Sequence, residues 1–206
     1  MDKNLFNNDL GSLELQTNYK VHNYDTNKLT NFLVNDFDWT YKKLSFNSGL
    51  NSKILGKFKN INYEAKNIDL YKKDPTSEMH GAIGLLSDLK LEKKLQDSLH
   101  FLTPKVLFRF SPGNMRKEKE NSTLNPATAF SMNRLDNINN FETGLSSTIG
   151  FDYKIKRDNR DFDFSVAQII NEKENKKMPT KTSLDEKLSD LVGSASYEIN
   201  DKINLN

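Results

Sequence analysis

The side chains with chemical reach are few and scattered. The three histidines, His22, His80 and His100, show no His-x-His or His-x-x-x-His spacing, which argues against a zinc site. Asp161 with Asp163, and Asp36 with Asp38, each put two carboxylates on one face of an extended strand. A protease or lipase could use such a pair for acid–base work. No histidine or serine stands at a position to partner either pair, so they read as polar groups of a strand face. The chain has no Gly-x-Ser-x-Gly and no glycine-rich loop ending in Gly-Lys-Ser/Thr. It has no cysteine, and so no disulfide, thiol nucleophile or cysteine metal site. His100 beside Phe101 reads as a loop or wall residue. The Lys- and Glu-rich run at 171–177 reads as a solvated loop whose lysines could meet phosphates, although its signs are mixed. The expectation is a chain without catalytic residue, cofactor or metal, and not an enzyme.

The elements that must carry these groups are strands. Between Phe141 and Ile155 the odd positions read Phe, Thr, Leu, Ser, Ile, Phe, Tyr, Ile, and the even positions are Glu142, Gly144, Ser146, Thr148, Gly150, Asp152 and Lys154. A period of two gives one greasy face and one polar face. At about 3.3 Å per residue such a strand is roughly 50 Å long, against five or six residues for ordinary strands. A long strand that is polar on one side suits a transmembrane β-barrel. Leu145, Ile149, Phe151 and Tyr153 are then the expected lipid-facing residues, and Glu142, Asp152 and Lys154 the expected lumen-facing ones.

The pattern recurs along the chain. Ser12–Val21 alternates, a turn-rich stretch follows at 22–27, and Leu33, Phe37, Trp39 and Tyr41 share a parity, which predicts a hairpin. Trp39 and Tyr41 at a strand end suit a membrane interface or, equally, an aromatic patch on a soluble sheet. A weaker strand is predicted over 44–55, interrupted at Gly49, and a bulge or loop where the periodicity changes phase within 60–70. Asp74–Ser77 predicts a turn, and 81–91 and 99–110 predict strands. Pro104 cannot donate to a ladder and marks an edge, a bulge or a strand start. Residues 111–140 form the longest break, an outward loop with a solvated charge run at 115–120. A polar reversal at 156–161, a strand at 162–170, a charged break at 171–190, a strand at 191–199, a turn at 200–202 and a last strand complete the chain. Reversals after 21, 156 and 199 are short and those after 110 and 170 long, the connection pattern of an up-and-down barrel.

Composition fits without deciding. Hydrophobic residues make up 35% of the 206 residues and mean hydropathy is −0.73, as for a thin-cored or disordered soluble chain or for a barrel with a polar lumen. Lys+Arg number 30 against 28 Asp+Glu, net +2, which argues against a nucleic-acid surface. The excess of lysine over arginine and the many asparagines read as the codon habit of an AT-rich genome. No stretch of apolar residues reaches transmembrane-helix length. No basic and apolar leader is visible at Met1–Leu15, which in an outer-membrane protein points to a processed or truncated chain.

Certain ordered segments resemble the LptD (OstA/Imp) family of outer-membrane lipopolysaccharide (LPS) assembly proteins. They are His100–Val106, Arg109–Met115, Met132–Asp136 followed by Glu142–Ser146, Phe162–Gln168, and Leu184–Gly193. The resemblance covers about 98–205 and is weaker over 1–97. It implies an all-β, antiparallel up-and-down transmembrane barrel, here all of 1–206 as an internal, open arc of roughly eight to ten strands within one barrel domain. It implies passive export of LPS through a lateral gate in the Gram-negative outer membrane. It also implies two kinds of partner besides the membrane lipids and LPS itself: an LptE-like plug lipoprotein and, through an N-terminal jelly-roll, periplasmic LPS bridge proteins. The jelly-roll, the gate strands and the family's disulfides are not recognisable in the sequence, so no gate residue is assigned. An arc with open edges is expected to aggregate when isolated. Another barrel of porin or receptor type, and a soluble all-β binding module, are the alternatives.

Overall fold

The computed structural model describes residues 2–24, 27–119, 121–157, 160–200 and 203–205. The strands are β1 Asp2–Asn8, β2 Gly11–Tyr24, β3 Lys28–Thr40, β4 Leu44–Ser45, β5 Leu50–Lys66 and β6 Thr76–Leu89. They continue with β7 Leu91–Leu95, β8 Ser98–Ser111, β9 Gly144–Arg157, β10 Arg160–Asn171, β11 Val192–Asn200 and β12 Ile203–Leu205. All join one antiparallel sheet in the order β1-β2-β3-β5-β6-β8-β9-β10-β11-β12, with the short β4 against β5 and β7 against β8. Neighbours in sequence are neighbours in space, the up-and-down order expected. Among the described residues β1 and β12 do not pair with each other, so the sheet is an open arc. A two-sheet sandwich is not what these residues form.

Register makes the two faces explicit. Cross-strand partners share a face, and the ladder Leu15–Phe37–Phe58 joins β2, β3 and β5. Further along, Ile83–Phe110–Leu145 joins β6, β8 and β9. Tyr153 pairs with Phe164 on β10, and Phe162 with Tyr197 on β11. This face is apolar along most of its length and bare, with Phe108, Ile83 and Ile149 about half exposed. The opposite face carries Asp36, Lys59, Arg109, Thr148 and Asp152, and there the loops pack.

The structure corrects several boundaries. The long strand starts at Gly144, not Phe141, because Phe141 and Glu142 are drawn down among buried side chains of the preceding loop. The 44–55 strand is broken: Gly49, at φ +85°, turns the chain so that β4 folds back on β5. No bulge interrupts 60–66. β5 keeps register with β3 to Lys66, and the phase change begins at Asn67, which takes φ +58°. Pro104 lies inside β8 where its partner on one side changes: β7 pairs up to Leu102 and β6 from Lys105, which leaves Pro104 in the gap between the two ladders.

The connections divide by end. At one end lie the β1–β2 and β9–β10 turns and residues 41–49 and 90–97. At the other lie 67–75 and the long segments 112–143 and 172–191. The β2–β3 turn, counted among the short-side reversals by the sequence, sits at the long-loop end, since β3, β5 and β6 intervene before β8. The central residues of three expected turns, 25–26, 158–159 and 201–202, lie outside the described residues, as does Glu120 of the charge run.

Candidate functional site

The polar strand face is populated by residues whose charges are settled locally. Lys57 bridges Asp36 and Asp38, Lys105 meets Asp152 at 2.5 Å, and Lys154 lies 3.2 and 3.1 Å from Asp161 and Asp163. The carboxylate pairs are thus partners of lysines across strands. His100 bonds Ser98 and the Tyr153 hydroxyl, and His80 stacks on Phe141. Among the described residues no group of three or more His, Asp or Glu is placed to hold a metal ion.

Of the sequence-predicted residues, Leu145, Ile149, Phe151 and Tyr153 share the bare apolar face. Asp152 and Lys154 share the opposite one and line a cavity of about 980 Å³ with Lys105, Phe101 and, from the loop, Ala127. Glu142 is not on the strand. It is 3% exposed and lies in the segment 112–143.

That segment is the centre of the site. The sequence predicts a solvated outward loop; the structure seats it on the polar face. Small residues make room for it. Ala82, Ser146, Thr148 and Ala167 are buried beneath it, and a Cβ on Gly84 would meet the Met132 sulfur at 2.7 Å. The charge run is only partly wet: Met115 and Glu118 are buried, and Arg116 reaches Glu78 on β6 and the Asn139 carbonyl. Ala129 and Leu135 join Met115, Met178, Leu184 and Ile169 in one apolar cluster, so the second long segment packs against the first. The amide of Glu118 also bonds the Lys177 carbonyl.

Buried charge fixes the seat. Arg109 on β8, 2% exposed, donates to the carbonyls of Met132 at 2.7 Å and Glu142 at 2.5 Å. Its guanidinium also stands 3.6 Å from the Glu142 carboxylate. Arg134 pairs with that carboxylate through Nε and Nη2 and reaches the Ser146 hydroxyl at 2.8 Å. Burial drives the Glu142 carboxyl upward, but Arg134 and then Arg109 outweigh it and hold the carboxyl below the ordinary range. Lys59 on β5 donates to the Ile138 carbonyl at 2.9 Å, and Thr148 to that of Ala129 at 2.9 Å. Sequence reasoning named Glu142 but gave none of these partners a role. The available signal was the run of small even positions, Gly144 to Gly150, which reads equally as a polar face.

An open, meandering sheet with one apolar face and loops folded onto the other is a barrel-wall arrangement. The sequence model of the family described as LptD, LPS transport system D, matches residues 62–206, from within β5 through β12. The chain belongs to the LptD family. No curated protein matches it significantly. The match takes in every segment that carried the resemblance, Arg109, Arg134 and Glu142 included. The family serves LPS transport in the outer membrane, and LPS transport is this chain's functional class.

Proposed function

We propose that residues 1–206 form part of the wall of one outer-membrane barrel that delivers LPS to the outer leaflet, passively and by lateral exit. In this reading Leu145, Ile149, Phe151 and Tyr153 face lipid, while Asp152 and Lys154, with Glu142 above them, belong to the lumen side. The family match over a sheet with a bare apolar face carries the reading. In lipid every backbone polar group needs a partner; the ladders between neighbouring strands supply partners inside the sheet, and the outer edges of β1 and β12 are left to the rest of the barrel. Trp39 and Tyr41, with ring centroids 6.0 Å apart at the short-loop end, suit the membrane interface. The partners are LPS, outer-membrane lipids, an LptE-like plug lipoprotein, and periplasmic LPS bridge proteins docking through a jelly-roll of the family's kind. The location is the Gram-negative outer membrane. Nothing in the mechanism calls for bond chemistry; the polar side accommodates sugar and phosphate while acyl chains leave toward lipid.

Photo-crosslinking in cells tests this. A diazirine amino acid at Asp152 or Lys154 should capture LPS during export, and one at Ile149 should capture membrane lipid. Absence of LPS adducts from the polar face would contradict the transport role.

A further inference from the structure

We propose that β3, β5 and β6 leave the hydrocarbon at their long-loop ends. The outward patch they raise there, Asn31, Asn60, Asn62, Glu64 and Ser77, meets the sugar headgroups of the outer leaflet. The proposal rests on the barrel-wall reading and adds where the bilayer ends on this arc. Its first support is that the two faces of β5 exchange character along one unbroken strand. Up to Phe58 the outward face carries Leu50, Ile54 and Phe58, and the inward face carries Lys57 and Lys59. From Asn60 onward the outward residues are Asn60, Asn62, Glu64 and Lys66. Ile61, Tyr63 and Ala65 are now buried on the inward face, the first two in a cluster with Phe32 and Val34. The registers with β3 and β6 hold through the exchange, so no bulge has turned the strand over. A wall bathed in lipid keeps its apolar side outward. Where the apolar side turns inward, the surroundings outside are polar.

The exchange also falls where strand tilt would put the bilayer margin. On β9 the outward apolar run begins at Leu145, whose ladder row continues through Phe110 and Ile83 to Gly56 on β5. Barrel strands tilt by about 35–45° and lie about 4.8 Å apart, so over three spacings the margin climbs about 10–14 Å, or roughly three to four residues, along the strand. Counted from Gly56, that is Lys59–Asn60. The short-loop ends give the direction of climb: Arg157 lies twelve residues from this row on β9, and Leu50 only six on β5. Two strands further on, the same slope reaches Tyr19 of β2, an exposed ring suited to the interface. Within the patch Asn62 donates to the Asn60 side-chain oxygen at 2.5 Å, and Asn60 to the Ser77 hydroxyl at 3.0 Å. Asn31 faces Glu64 across the ladder. Such amides and hydroxyls are costly in hydrocarbon, and they offer donors and acceptors side by side. Glu64 and Lys66 offset each other in charge, so nothing selects phosphate. The chemistry fits the hydroxyls of a sugar headgroup, and the long-loop end is the one that faces outward in such barrels.

The test places single spin labels at Phe58, Asn62 and Glu64 of the protein in phosphatidylethanolamine vesicles, with and without a galactolipid. Oxygen is the lipid-soluble probe and a nickel chelate the water-soluble one. Phe58 should relax with oxygen, and Asn62 and Glu64 with the nickel chelate. Adding the galactolipid should slow the labels at Asn62 and Glu64, lower their nickel relaxation, and leave Phe58 unchanged. Oxygen relaxation at Asn62 and Glu64 would put them in hydrocarbon and overturn the proposal. Shielding of both from both probes would assign the patch to a protein partner instead. Indifference to the galactolipid would remove the sugar as its occupant. Should the label at Asn62 prevent assembly, one at Ser77, its cross-strand partner, is read in the same way. A label at Ile149 separates the two claims. Nickel relaxation there would defeat the barrel-wall reading itself, whereas oxygen both there and at Asn62 would defeat only the margin drawn here.

Discussion

The two long connections look alike in sequence and differ in how they are held. Both 112–143 and 172–191 are charged breaks at the same end of the sheet. In the first, the decisive carboxylate is buried between two arginines, one of them from the wall. In the second, the busiest charge is Lys176, 61% exposed, with Glu174, Asp185 and Glu186 around it. Its ammonium is pushed well above the ordinary lysine range by Glu186 first, and by Asp185 and Glu174. The shift looks impressive, yet water screens the cluster and it orders little. The buried set is the opposite case. Its net stabilisation is eroded by desolvation, but its members cannot be removed singly without stranding a charge. Counting charges in a loop therefore does not distinguish a wet loop from a seated one.

The contrast can be broken in order of expected effect. Glu142→Gln leaves Arg109 and Arg134 buried without their counter-charge and should weaken the seat by about 3–5 kcal/mol, read as protease cleavage within 112–143. Phe141→Ala, at a fully buried ring stacked on His80, should cost about 3 kcal/mol by the same assay. Leu184→Ala should cost about 2–3 kcal/mol and loosen the second segment first, through the shared cluster. Lys176→Ala should not measurably change cleavage of either segment. If it did, the contrast between exposed and buried charge would fail.

Acid sharpens the same comparison. Glu142 is the depressed group, faced by Arg134 from its own segment, Arg109 from β8 and the neutral Ser146 of β9. Its contribution is present above the ordinary carboxylate value and is lost as pH falls through the depressed one. The seat should hold unchanged from neutral pH and loosen only below about pH 4. Glu142→Gln should remove that acid step, which a pH series of protease protection would report.

The strands were legible because period two is written into β2, β8, β9 and β10 with few exceptions. What was not legible has physical reasons. The turn chemistry of Gly49 was visible, but its effect, a fold-back of β4, depends on where β5 pairs. The phase change in 60–70 reads as a bulge or a loop, and it is the loop: the strand ends at Lys66, so Ile68 and Leu70 belong to the connection that follows. Phe141 fitted the strand's parity by coincidence and is core to the loop instead. Ser146 and Thr148 read as plain polar wall residues when they are also small enough to lie buried beneath the segment and bond it, through Arg134 and the Ala129 carbonyl; Gly150 answers to its own sheet. At Gly150 a Cβ would meet the Val166 carbonyl oxygen at 2.2 Å. Long-range pairs such as Arg109 with Met132 and Lys59 with Ile138 leave no periodic trace in one sequence.

The most direct measurement is the accessibility of single spin labels on β9 in a bilayer, using oxygen as the lipid-soluble probe and a nickel chelate as the water-soluble one. Labels at Leu145, Ile149 and Phe151 should relax with oxygen, and labels at Asp152 and Lys154 with the nickel chelate. Nickel relaxation at the three odd positions, or equal relaxation on both parities, would contradict a wall with lipid on one side and a polar interior on the other.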